Sequence, residues 1–356
     1  MAAPTAPVKL PISGVDKTAT AFASIVKRAR NAAKSIAKLG AKITVGGIGI
    51  GAAGLAAGFA MAVKKAADFE SKINELATVV HDDDSLAMAG KRALAFADAN
   101  QTTADAYVGS TYQMVSAGLD LESAFQATEV AARVAMATIG DAGDAAILLS
   151  GLYLNLGDRA ADSAQEITRI GDIVAITQQK FKLPNLDQLS QGFEYVTSAA
   201  VGAQLPLTQV ATALGVLNTA DVKGSRAGTS LASALLKMTE ASKKLRFQVV
   251  RADDGTMDLI GTLHNMRAAL DVRKKRGIRA GDALKAAFGK EGMDAMMPLL
   301  KALPTLSDDL KDVAESAGTA ARGAERAGRG MVGQWQIFKN TLSGVAIEAG
   351  SALLPT

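Results

Sequence analysis

Helix-start signals recur along the middle of the chain with little room between them. They are Thr102-Thr103 before Ala104, Gly118-Leu119-Asp120 before Leu121, Gly140-Asp141 before Ala142, Pro184-Asn185 before Leu186, and Pro206 before Leu207. A Thr, Asp or Asn at such a place accepts from N–H groups that the first helical turn leaves unpaired, and Pro fits there because its missing N–H has no partner to lose. Connections this short between helical patterns point to a compact bundle of short helices. Aromatics are sparse, one Trp, four Tyr and ten Phe in 356 residues, so burial falls to Ala, Leu, Val, Ile and Met. Closely packed, Ala-rich helices satisfy that constraint, and an all-α fold is predicted. One departure is expected: Phe247-Gln248-Val249-Val250 are β-formers ahead of Asp253-Asp254-Gly255, which predicts a small hairpin near 247–257.

The N-terminal part has a different character. Residues 1–65 hold ten Lys/Arg and one acid, Asp16, leaving 29 Lys/Arg against 34 Asp/Glu in the remainder, so the net charge of +4 is an N-terminal property. From Val15 to Leu39, Phe22, Ile25, Val26, Ile36 and Leu39 recur at helical spacing opposite Lys27, Arg28, Lys34 and Lys38, which reads as a basic amphipathic helix ended by Gly40. Residues 43–63, from Ile43 to Val63, then run 21 positions without a charge, flanked by Lys42 and by Lys64 and Lys65. A helix of that length spans roughly 30 Å, enough for a bilayer core. Six glycines soften it, and Gly47-x-x-x-Gly51 with Gly54-x-x-x-Gly58 is spacing that lets helix backbones approach closely. The run is read as a membrane-competent segment; the basic arm beside it suits anionic lipid or nucleic acid and does not choose between them. The start lacks a secretory-signal layout, so synthesis in the cytoplasm is expected.

Little in the sequence points to catalysis. Cysteine is absent and there are two histidines, His81 and His264, so no metal ligand set and no catalytic residues are assigned. His81-Asp82-Asp83-Asp84 reads as a helix cap rather than a metal site. Gly49-Ile50-Gly51-Ala52-Ala53-Gly54 fits G-x-G-x-x-G, with Asp68 or Glu70 as the ribose-binding acid, but the pattern after Glu70 stays helical where a dinucleotide site needs a strand. Lys223-Gly224-Ser225-Arg226-Ala227-Gly228-Thr229 has the composition of a phosphate loop in the wrong order. A phosphate held at a helix start capped by Ser225 is one reading; the other makes Gly224 a turn residue, with Ala227, Gly228 and Thr229 allowing close helix packing. No cofactor is expected.

Four segments follow from these patterns: 1–42, a basic arm; 43–65, the glycine-rich apolar segment; 66–302, a helical core domain; and 303–356, a linker and the start of a C-terminal helical region. Within the core, Tyr112 to Ala131 and Tyr195 to Ala213 echo one another 86 positions apart, suggesting a duplicated helical hairpin. Residues 315–330 are small and charged, more linker or solvated helix than core. Trp335, Phe338, Leu342, Val345, Ala349 and Leu353 then restore an apolar helical stripe. The chain reads as an N-terminal part of a longer protein.

Several strings taken together resemble a known family. Ala66-Ala67-Asp68-Phe69-Glu70-Ser71, Leu205-Pro206-Leu207, Ala220-Asp221-Val222 leading into Lys223 to Leu231, and Ala287-Phe288-Gly289 to Leu300 are similar to the core region of tail tape measure proteins of tailed bacteriophages. The resemblance spans residues 64–355 and rests on Asp68, Phe69 and Glu70 and on Lys223, Gly224, Ser225, Ala227, Gly228 and Thr229. The family's long helical rod is missing from this sequence. The resemblance implies a non-enzymatic protein in the lumen of the virion tail tube that sets tail length and assists genome delivery across the host envelope. It also implies as partners the tail tube protein, tail assembly chaperones, tail tip or baseplate proteins, further copies of itself, the host membrane during delivery, and phage DNA. An integral membrane or pore-forming helical protein is an alternative that would explain the apolar run, and a nucleotide-binding enzyme would explain the glycines and the Lys223 loop.

Overall fold

The computed structural model describes residues 52–328 and 331–351. Thirteen helices occur among them: α1 (Ala52–Leu76), α2 (Asp83–Ala99), α3 (Ala104–Ser116), α4 (Leu121–Thr138), α5 (Ala142–Leu156), α6 (Ser163–Lys180), α7 (Leu186–Ala203), α8 (Leu207–Thr219), α9 (Gly224–Leu245), α10 (Leu259–Lys274), α11 (Ala280–Ala314), α12 (Thr319–Gly328) and α13 (Met331–Ser351). The only strands among the described residues are β1 (Val250–Arg251) and β2 (Met257–Asp258), antiparallel with Val250 opposite Asp258 and Arg251 opposite Met257. The fold is all-α, and the small hairpin lies where its β-formers and Gly255 at φ +86° place it.

The caps explain the helix boundaries. Asp82, Thr103, Asp120, Asp141 and Asn185 each accept from a backbone N–H in the first turn that follows, at 2.8 Å for Ser85 and 3.0 Å for Ser123. Their hydrogen bonds with Ser85 and Ser123 hold the Asp82 and Asp120 carboxyls below the usual carboxylate range. The acidic run at 82–84 is therefore a cap and a first turn, as its sequence suggests. The two echoing stretches are both helix–turn–helix pairs, α3–α4 and α7–α8, but the first turn uses Gly118 at φ +87° and the second Gln204 at φ +55°.

The described residues form two compact units: Lys72–Thr341, and residues 52–71 together with 342–351. In the second, α1 and the end of α13 approach so closely that a Cβ on Gly350 would lie 2.3 Å from the Ala62 carbonyl oxygen. In the larger unit, α4 and α6 pack together in the interior, each with more than half its residues buried. Phe125, Val134, Ile167, Ile170 and Ile173 are buried there, and each such side chain contributes about 1.5–3 kcal/mol. Tyr107 is buried with them; its hydroxyl makes no hydrogen bond of good geometry among the described residues, its polar neighbour being the Arg92 guanidinium. Burial pushes its phenol up to about 12. Tyr107→Phe is therefore expected to leave stability unchanged or raise it by up to about 1 kcal/mol in thermal melts; a loss of that size would mean the hydroxyl is satisfied.

Helix α11 runs through two prolines and one break. Pro304 cannot donate to the Leu300 carbonyl, and the Arg267 guanidinium from α10 donates to that oxygen instead. At Gly289, φ +74°, the helix bends, and Lys237 Nζ on α9 donates to the Phe288 carbonyl at 3.0 Å. Residues 319–328, expected as linker or solvated helix, form α12 with Thr319, Ala320 and Ala324 buried. Gly323 lets it seat on α4, where a Cβ would lie 2.6 Å from Ala137 Cβ. Small residues carry little hydrophobic signal, yet they permit this close contact. The apolar stripe of α13 is exposed: Trp335 at 58% and Phe338 at 49%, and further along Leu342 and Val345.

Candidate functional site

The string Lys223–Thr229 lies at the start of α9. Helix α8 ends at Thr219; beyond it Asp221 takes φ +63° and Lys223 is extended, its Nζ 2.6 Å from the Asp221 carboxylate, a contact that lowers the Asp221 pKa. Gly224 at φ +55° turns the chain into the helix, so Gly224 is a turn residue and Ser225 sits within the first turn rather than capping it. Ala227 and Gly228 face inward. Thr229 does not: it is exposed, and its hydroxyl donates to the Ser225 carbonyl at 2.8 Å. Of the three residues read as allowing close packing, Ala227 and Gly228 lie on the buried face and Thr229 does not.

Gly228 is where α9 meets α7. A Cβ there would lie 2.3 Å from the Gly192 carbonyl oxygen and 2.9 Å from Tyr195 Cβ. A second contact joins α9 to α11, where a Cβ on Gly292 would approach the Ala234 backbone to 3.3 Å. These approaches open an outer cleft of about 570 Å³ lined by Tyr195, Ser225, Arg226, Thr229, Lys290 and Asp294. Arg226 bridges it to Asp294 at 3.0 Å. Cations and carboxylates nearly balance here, with Glu291 beside Lys290, and there is no buried acid–base pair. The arrangement suits packing and surface contact, and does not make a phosphate loop. Sequence reading missed Gly192, Lys290 and Asp294, whose only signal is a glycine inside an otherwise regular helical pattern.

The other sequence-assigned residues are placed as follows. Asp68, Phe69 and Glu70 lie on α1, where Phe69 is buried and the two acids are exposed. No strand follows them, so the strand–helix–strand unit of a dinucleotide site is not formed among the described residues. Lys42, Ile43, Gly47 and Gly51, with Gly49 of the glycine motif, lie outside the described residues. Gly54 and Gly58 belong to α1, which continues through half-buried Val63 and past Lys64 and Lys65 to Leu76. Among the described residues no single helix is long and apolar enough to cross a membrane. The first part of the 43–63 run falls outside them. No group of three or more His, Asp or Glu residues placed to hold a metal occurs among the described residues. His81 and His264 are both exposed and far apart in sequence.

Residues 90–323, which include this whole site, match the family model for phage-related minor tail proteins. The chain is also 26% identical over 290 residues to the probable tape measure protein of Escherichia phage P2. That alignment covers 79% of this chain and 35% of the relative, so the chain spans about a third of the relative's length. No solved structure matches the chain.

Proposed function

Because the chain belongs to the phage-related minor tail protein family, a family of structural tail components rather than enzymes, we propose that it acts as a tail tape measure protein. In this reading it occupies the lumen of the tail tube, its length sets how many tube rings assemble, and it assists the genome across the host envelope. The observation that carries the proposal is the likeness to a tape measure protein, which extends through the Lys223–Thr229 packing motif. The absence of an acid–base or metal constellation among the described residues is compatible with it, since a ruler needs none. Assembly would bring it from the host cytoplasm into contact with tail assembly chaperones, the tube protein and tip or baseplate proteins. The 43–63 run would meet the host membrane during delivery, and the basic arm would meet phage DNA or anionic lipid.

Self-association in the tube has a specific support. Met331, Trp335, Phe338, Leu342 and Val345 are exposed and spaced by alternating fours and threes along α13, the spacing of a coiled-coil seam. The experiment that tests the ruler inserts four helical heptads, about 28 residues, after Ser351 in the phage's own gene. Tails measured by negative-stain electron microscopy should lengthen by about 42 Å. Viable particles with unchanged tails would overturn the ruler reading.

A further inference from the structure

The end of the larger unit formed by the C-termini of α9 and α10 carries a charge concentration that the ruler reading does not use. Arg273 joins the two helices, its guanidinium donating to the Leu245 carbonyl at 2.6 Å and the Lys244 carbonyl at 2.7 Å. This puts Lys243 and Arg246, at the end of α9, at the same end of the unit as Lys274, Lys275 and Arg276, at the end of α10 and just beyond it. None of those five has an ion-pair partner among the described residues. Of the acids near them in sequence, Glu240 is engaged by Lys244 at 2.7 Å and Asp282 by Arg279 at 3.0 Å, leaving Asp271 to oppose the cluster.

The turn after α10 is built rather than loose. Ile278 N–H donates to the Arg273 carbonyl and Gly277 N–H to the Lys274 carbonyl, with Gly277 at φ +80°, the reciprocal pattern of a glycine-terminated helix. Such a turn commonly tucks the residue after the glycine against the helix. Here Ile278 stays 44% exposed and Val272 51% exposed, two aliphatic side chains among cations. Next to the turn lies a groove of about 630 Å³ lined by Arg267, Asp271, Lys274, Met297, Pro298 and Lys301. Lys274 and Lys301 face one carboxylate there, the Arg267 guanidinium being held by the Leu300 carbonyl, and Met297 and Pro298 supply an apolar wall.

We propose that the turn at 272–279 and this groove form a docking surface for an anionic phospholipid bilayer. The cations would meet headgroup phosphates while Ile278 and Val272 enter the interface, and Met297 and Pro298 would line the path of an acyl chain. The exposed aliphatics favour lipid over nucleic acid, whose backbone would be met by cations and polar groups and whose bases would be met by aromatic stacking.

The test is co-sedimentation of the full chain with vesicles of equal phosphatidylcholine and phosphatidylglycerol, and with phosphatidylcholine alone, the basic N-terminal arm being unchanged throughout. The triple variant Lys274→Glu, Lys275→Glu, Arg276→Glu should bind the anionic vesicles about a hundredfold more weakly, from about tenfold or less per reversed cation. Ile278→Asp should weaken binding several-fold while leaving circular dichroism unchanged. Wild-type protein that ignores anionic vesicles, or variants that bind them as wild type does, would overturn the proposal. So would variants that lose affinity for a DNA duplex while keeping it for vesicles. None of these results depends on the ruler reading.

Discussion

Gly228→Ala is expected to lower the unfolding free energy by about 2–3 kcal/mol, seen as a shifted midpoint in urea denaturation. The added carbon would sit 2.3 Å from the Gly192 carbonyl oxygen and 3.0 Å from its carbon, and both are backbone atoms that no rotamer change can move aside. Helices α7 and α9 would have to part by roughly 1 Å, and every side chain packed between them would lose contact. Alanine's better helix propensity returns only about 1 kcal/mol. The same substitution at Gly151, inside α5 with nothing within 4 Å of the built Cβ, has no clash to offset that gain. Gly151→Ala should therefore stabilise by about 0.5–1 kcal/mol. Opposite signs for one substitution at two helical glycines are the signature of a close backbone crossing. Equal effects at both positions would remove the packing account of the Lys223–Thr229 motif.

The contrast also shows what a sequence carries. Caps are local: Asp120 and Ser123 are three residues apart, and the bond between them depends on nothing distant, so the helix starts were legible residue by residue. The hairpin at 250–258 was legible for the same reason. Gly228 was legible in part, because a glycine among alanines signals close approach without naming the neighbour. Its neighbour Gly192 lies 36 positions earlier on a different helix; a glycine inside that helical pattern hints at a close approach, but nothing local names what approaches. Thr229 shows the limit of the pattern, since one residue's step around the helix, about 100°, moved it from the packed face to solvent.

Long-range satisfaction of the backbone was the least legible layer. A proline in α11 frees the Leu300 carbonyl, and the sequence alone cannot say that Arg267, on another helix, will take it. The break at Gly289 leaves the Phe288 carbonyl to Lys237 in the same way. In both cases a long cationic side chain does the work of a missing N–H, which converts what reads as a solvated charge into a structural one. The basic cluster at 273–276 divides along the same line: Arg273 is spent on the Lys244 and Leu245 carbonyls, while Lys274, Lys275 and Arg276 stay available to a partner.

Asp172→Ala should be the most damaging single change among the polar residues, costing about 3–4 kcal/mol. Asp172 is 5% exposed on α6, and its two carboxylate oxygens accept from the Gly318 N–H at 2.7 Å and the Ala320 N–H at 2.9 Å. Those donors open α12, so the carboxylate both caps the helix and meets the positive end of its dipole. Alanine would leave two N–H groups without acceptors at a largely buried place, and α12, built from small residues, has little apolar surface with which to hold on. Asp172→Asn should cost less, about 2 kcal/mol, because one oxygen remains while the amide nitrogen faces a donor. Amide hydrogen exchange separates this from general destabilisation: protection should fall first across 319–328, before the inner helices α4 and α6 lose theirs. If α4 and α6 opened together with α12, or if the Ala variant unfolded at the wild-type midpoint, Asp172 would not be what anchors that segment.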